Sequence, residues 1–276
     1  MINLLKNKII ISAFIALVLT VGVAIPSNAA EDVTLSNVVS QLSEDVLGGT
    51  ISELDIINSK SLYNFDMKDN NGQAYTVNIF SDDNQVVEAS FNPSQDWASV
   101  WAGANEGDKL SKGHYKIAVS KYGESDPEIY DVDNNYFSDN KEELILNLNR
   151  ELIRVHKNIQ EDQPDFLIIG MPACSNASSI KVYYIENGKL KLANFINNRE
   201  TSNFSYTFDS NNLFFNQREN NIFETSSYDN AESFGFYIGS WKFDLDSGRF
   251  TFLGARFMDT DNYFNYVKQI GNDRLN

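Results

Sequence analysis

The sequence predicts an α+β, mainly β protein: a small αβββ module followed by a larger antiparallel β module with one long helix. Three observations carry this. Apolar and polar residues alternate with period two between short turn signals, as in Tyr63, Phe65 and Met67 and again in Tyr75, Val77 and Ile79. Aromatic residues are plentiful, with 19 Phe, 13 Tyr and 3 Trp, a usage that suits strands around a packed core. Two segments, 34–47 and 139–159, place their apolar residues on one helical face.

Residues 1–30 read as a signal peptide. Lys6 and Lys8 precede an apolar run from Ile9 to Ile25, and Pro26-Ser27-Asn28-Ala29-Ala30 supplies the small residues of a cleavage site. The expectation is cleavage after Ala29 or Ala30 and a secreted, extracellular or cell-wall-associated protein with no membrane attachment afterwards; the alternative is retention as an anchor. Cys174 is the single cysteine, so no internal disulfide forms and stability rests on the apolar core. The formal charge of −16 grows more negative once Lys6 and Lys8 leave. Such a surface repels phosphate backbones, which argues against nucleic acid as a partner, and it attracts cations. The Lys-, Ile- and Asn-rich composition is bacterial in character.

Residues 31–92 form the expected small module. The stretch "TLSNVVSQLSEDVL" carries Leu35, Val38, Val39, Leu42 and Val46 on one helical stripe, and Gly48-Gly49 ends it as a C-cap would. After the link "TISELDII" come three alternating segments, separated by the turns "DNNG" (69–72) and "SDDN" (81–84), the third carrying Val87, Ala89 and Phe91. They predict an antiparallel meander with one buried face under the helix. The helix "LSNVVSQLSEDVLGG" with the strands "YNFDMKDNNGQAYTVNIFSDDNQVVEASF" resembles the PepSY domain and related cystatin-like modules over residues 33–92. That resemblance implies a non-catalytic binding role.

Residues 93–276 form the expected mainly β module. A loop-rich stretch with Trp97 and Trp101 leads to the strand "HYKIAVSKY" (114–122). A helix is expected near 140–159, because Leu144, Ile145, Leu148, Leu152, Val155 and Ile159 share a face. "PDFLIIGM" (164–171) reads as a buried strand. "SIKVYYI" and "KLKLANFI" flank the turn "ENG", and "FGFYIGSWKFDL" and "RFTFLGARF" flank "DSG". The hairpins are blade-like but too few to close a propeller, so an open sheet or β-sandwich is expected.

One stretch invites a metal. In "DVDNNYFSDNKE", Asp131, Asp133, Asn135, Asp139 and Glu142 fall at the oxygen-ligand places of a calcium loop. The glycine such loops need at the sixth place is Tyr136, and Asp139 with Glu142 also fits a helix-capping box before the apolar run. "DTDN" (259–262) and Asp244, Asp246 and Gly248 echo only the start of the pattern and read as turns. Catalytic signals are sparse: the two histidines, His114 and His156, belong to no metalloprotease motif, and no nucleophile elbow occurs. Trp97 and Trp101 are the candidate ligand-binding aromatics, whereas Trp241 sits in strand alternation and is expected to face inward. The functional expectation is a secreted, non-catalytic bacterial protein that binds an extracellular protein, peptide or glycan, with calcium as a stabilising ion. The alternative is a cell-envelope hydrolase whose acidic residues are assembled by the fold.

Overall fold

Alternation between turns governs the chain from residue 52 onward. The computed structural model describes residues 52–90, 103–133, 143–174, 177–198, 200–208 and 213–273. The expected leader, the helix over 34–47, Trp97, Trp101, Asn135, Asp139 and Glu142 lie outside them. In chain order, α1 (Glu53–Lys60) leads into β1 (Ser61–Lys68), β2 (Ala74–Ser81) and β3 (Gln85–Glu88). Then come β4 (Lys109–Gly113), β5 (Tyr115–Lys121), β6 (Glu128–Asp131), β7 (Leu144–Asn147) and β8 (Ile153–His156). The long pair β9 (Phe166–Cys174) and β10 (Ala177–Glu186) precedes β11 (Lys189–Leu192), β12 (Asn194–Asn197), β13 (Glu200–Ser202) and β14 (Ser205–Phe208). The chain continues through β15 (Phe215–Glu219), β16 (Ile222–Asp229), β17 (Gly235–Asp244), β18 (Arg249–Asp259) and α2 (Thr260–Asp273). The described residues are therefore mainly β, in antiparallel and mixed sheets, with two helices, α1 and the C-terminal α2.

The first sheet has the order β1-β2-β5-β6. Its first turn forms as the sequence predicts, because Asp69 Oδ1 accepts hydrogen bonds from the backbone N–H groups of Asn71 and Gln73. The third meander strand does not: β3 pairs with β4 in a separate sheet, and β5 takes the place beside β2. The reason is burial. β2 is covered on both faces, and β5 brings four consecutive buried residues, Ile117 to Ser120, whereas three of the four β3 residues are exposed. This sheet thus draws strands from both sides of residue 92. α1 replaces the expected link and starts at a capping box, in which Asp55 N donates to Ser52 Oγ and Ser52 N to Asp55 Oδ2. It buries Ile57 against Phe80 and Ala118.

The helix expected near 140–159 is overturned where those residues are described. Leu144–Asn147 is β7, paired with β4, and Ile153–His156 is β8, paired with β9. The same apolar positions serve two short strands, with Leu144 and Leu146 buried on alternation. Asn147 breaks the helical option. Its Oδ1 accepts the backbone N–H of Asn149, and its Nδ2 donates to Gly103 O and Asp108 Oδ2. Asparagine bonds its own backbone in turns more readily than it sits in a helix.

A central sheet, β8-β9-β10-β11 with β14 on the other part of the β10 edge, is buried on both faces. Leu167, Ile169, Tyr183 and Ile185 point to one side and join Met67, Val77, Ile79, Ile117 and Val119 of the first sheet. Phe166, Ile168, Ile180, Val182 and Tyr184 point to the other and join Phe195, Phe215, Phe223, Trp241, Phe243 and Phe250. Each such fully buried side chain contributes about 1.5–3 kcal/mol. Trp241 faces inward as expected, and its Nε1 donates to Thr225 Oγ1 at 3.0 Å. The last sheet has the order β13-β12-β18-β17-β16-β15, with β12 and β18 parallel. α2 covers the opposite face of this sheet, laying Tyr263 on the Phe236 ring at 3.7 Å between centroids. Asp259 is its N-cap, accepting the N–H of Asn262 at 2.9 Å, so "DTDN" begins a helix and is not a turn alone.

Candidate functional site

Two of the five expected metal ligands are described. Asp131 ends β6, its backbone opposite Lys116. Asp133, two residues on, turns its carboxylate inward: Oδ2 lies 2.8 Å from Lys181 Nζ and accepts a hydrogen bond from Asn203 Nδ2 at 2.7 Å. The Asp133 N–H donates to the Tyr183 hydroxyl at 3.1 Å, which fixes the loop over β10. Lys181 is fully buried in mid-strand, on the same face as Tyr183. Burial lowers its pKa, and the Asp133 carboxylate opposes that shift. Among the described residues no three His, Cys, Asp or Glu side chains gather as a metal site. The two histidines have separate partners. His114 Nδ1 lies 2.6 Å from Asp83 Oδ2 on the surface, and His156 is buried between the edges of Phe215 and Phe223.

Two clefts open on the last sheet. One, of about 310 Å³, lies at the β17–β18 turn and is lined by Tyr184, Lys191, Asn194, Asp246, Ser247 and Gly248. Gly248 has φ +65°, and a Cβ there would stand 2.4 Å from the Tyr184 hydroxyl, so only glycine lets the turn close over that ring.

The other is a groove of about 520 Å³ between β18 and α2, lined by Phe257, Met258, Asp259, Asn262, Asn265, Tyr266 and Gln269. The local sequence builds it. Asp259 caps the helix with both carboxylate oxygens on Asn262, which starts α2 directly after the strand. The helix then turns Tyr263, Val267 and Ile270 down to the sheet, and the groove side keeps Asn262, Asn265 and Gln269. Tyr266 sits between: its hydroxyl donates to Glu224 Oε2, and the Arg256 guanidinium stacks 5.1 Å from its ring. Glu224 is fully buried and accepts Arg256 Nη1 at 2.6 Å on its other oxygen. Burial, with the Glu224 carboxylate beside it, pushes the Tyr266 hydroxyl up and keeps it a donor. The wall of the groove is therefore rigid, anchored from beneath by a charge-assisted network.

Exposed aromatics also occur outside this groove, Tyr237 and Phe257 on the face of β17 and β18 opposite α2. Tyr237 and Phe257 form an edge contact at 5.4 Å between centroids, and both are open to solvent, as is Phe264. No sequence motif announces this site. Its signal was present in the i, i+3, i+4, i+7 spacing of Tyr263, Tyr266, Val267 and Ile270, which the acidic "DTDN" disguised. Among the described residues no helix is long and apolar enough to cross a membrane. No family model, no curated protein and no solved structure matches the chain.

Proposed function

We propose that the protein is exported and acts outside the cell as a non-catalytic glycan-binding protein, using the groove between β18 and α2. The observation that carries this reading is the lining of that groove: the Tyr266 ring beside three neutral amides, Asn262, Asn265 and Gln269, along the edge of β18. Asn265 and Gln269 offer donors and an acceptor each, and Asn262 keeps its acceptor while one N–H is held by Asp259, which matches the alternating hydroxyls of a sugar. The Tyr266 ring offers an apolar surface for sugar C–H groups. The volume lies in the range of small-ligand sites. The one carboxylate in the lining, Asp259, is held by the helix cap with both oxygens on Asn262, so the other polar groups of the groove are neutral amides. The leader-like residues 1–30 support export.

Isothermal titration of the purified protein with soluble oligosaccharides from bacterial cell walls tests the proposal. The double variant Asn265→Ala/Gln269→Ala removes two hydrogen-bonding groups and lowers affinity about tenfold, with an unchanged melting temperature. Equal affinity in the double variant overturns the assignment of the groove. Heat with peptides and none with glycans overturns the ligand class.

A further inference from the structure

We propose that Lys181 and Asn203 become joined by an intramolecular amide bond, formed by the protein itself with Asp133 carrying the proton between them. The geometry assembles the three participants. Lys181 Nζ and Asn203 Nδ2 approach the same oxygen, Asp133 Oδ2, at 2.8 and 2.7 Å, so amine and amide are held as neighbours across one carboxylate. Their segments are fixed by the sheet. β10 pairs with β14 up to Ile180–Ser205 and with β11 from Tyr183–Leu192, and Asn203 enters at the junction where β10 exchanges one partner for the other. The Tyr183 hydroxyl holds the Asp133 backbone in place.

The chemistry follows from the burial. A fully buried lysine in a strand is costly as an ion, and an apolar residue of similar volume would pack at least as well. The neutral amine is the nucleophile, and the carboxylate that can take its proton lies 2.8 Å away. The Lys181 ammonium passes a proton to Asp133. The freed Nζ lone pair attacks Asn203 Cγ, and the Nζ–Cγ bond forms as the carbonyl opens to a tetrahedral centre. Asp133 returns its proton to Nδ2, the Cγ–Nδ2 bond breaks, and ammonia departs carrying the remaining Nζ proton, as ammonium. One lysine ammonium and one primary amide become one secondary amide and one ammonium ion, Asp133 is regenerated as a carboxylate, and no oxidant, metal or cofactor is needed. The hydrogen bond that Asn203 Nδ2 already donates to Asp133 places the acid on the leaving nitrogen. Fixed proximity supplies much of the barrier reduction that such a slow reaction needs. The Asp133 side chain is about one-third open (32%), which leaves a path for ammonia.

Intact-mass spectrometry of the denatured full chain, with the N-terminus identified in a parallel digest, tests the bond. The wild type is expected to be lighter than its sequence by one ammonia, and proteolysis yields a branched peptide joining the fragments of Lys181 and Asn203. Lys181→Arg, Asn203→Ala and Asp133→Asn each restore the full sequence mass. A wild-type mass equal to the sequence, or a branch at any other pair, overturns the proposal whatever the variants do. So does an unchanged extent of bond formation in Asp133→Asn.

Discussion

The two faces of the central sheet are packed by different chemistry. Towards the first sheet the layer is mostly aliphatic, with Val77, Ile79, Ile117, Val119, Leu167 and Ile169. Towards the last sheet it is mostly aromatic, with Phe166, Phe215, Phe223, Phe243 and Phe250 in edge-to-face and tilted contacts between 4.8 and 6.3 Å. β9 serves both, sending Phe166 and Ile168 one way and Leu167 and Ile169 the other. The aliphatic layer is many small interlocking pieces. The aromatic layer concentrates its energy in a few large ones, with Phe166 at the centre of five ring contacts. Sensitivity to substitution should follow that difference.

The largest effect is expected at Phe166. Phe166→Ala removes the ring that the other four phenylalanines and Tyr184 pack on, and costs about 3–5 kcal/mol in denaturant unfolding. Ile169→Val, three residues on and facing the aliphatic layer, deletes one methylene and costs about 0.5–1.5 kcal/mol. A loss at Phe166 no greater than that at Ile169 would erase the distinction between the layers. The smallest effect is expected beyond both layers, on the surface of the first sheet. Asp82 accepts from Lys60 at 2.8 Å and from Lys116 at 3.0 Å, and these bonds hold its carboxyl below the usual range. A depressed folded pKa means the contribution is whole above the unfolded value of about 3.9 and is lost as pH falls through the folded one. The pair is half exposed, so Asp82→Asn costs less than about 1 kcal/mol at neutral pH. Melting curves of wild type and variant should converge in acid. A gap that persists at the lowest pH would show that the ion pairs are not its source.

Much of the local structure was legible in the sequence, and the long-range structure was not. The turns at Asp69–Gly72, Asn187–Gly188 and Asp246–Gly248 announce their hairpins through side chains that bond the adjacent backbone or glycines that take a positive φ. Nothing local tells β3 to leave the first sheet or β5 to enter it, since that choice rests on which strand can be covered on both sides. Residues 144–156 carry apolar positions compatible with either period, and pairing with β4 and β9 decides between them. The same blindness hid Lys181. Within "SIKVYYI" a lysine between apolar neighbours reads as the solvent side of a half-buried strand. Only the second covering layer turns that position inward.

The parallel pairing of β12 with β18 has a consequence for how the chain acquires this structure. Asn194, Phe195 and Ile196 lie beside Arg249, Phe250 and Thr251, so an early segment must wait for one of the latest to be delivered. During ribosomal synthesis or passage through a translocation pore, the rings of Phe166 and Tyr184 emerge long before their cover does. A chain stopped short of residue 249 would present that sticky surface to chaperones, proteases or other copies of itself, and quality control would meet it as an unfinished product.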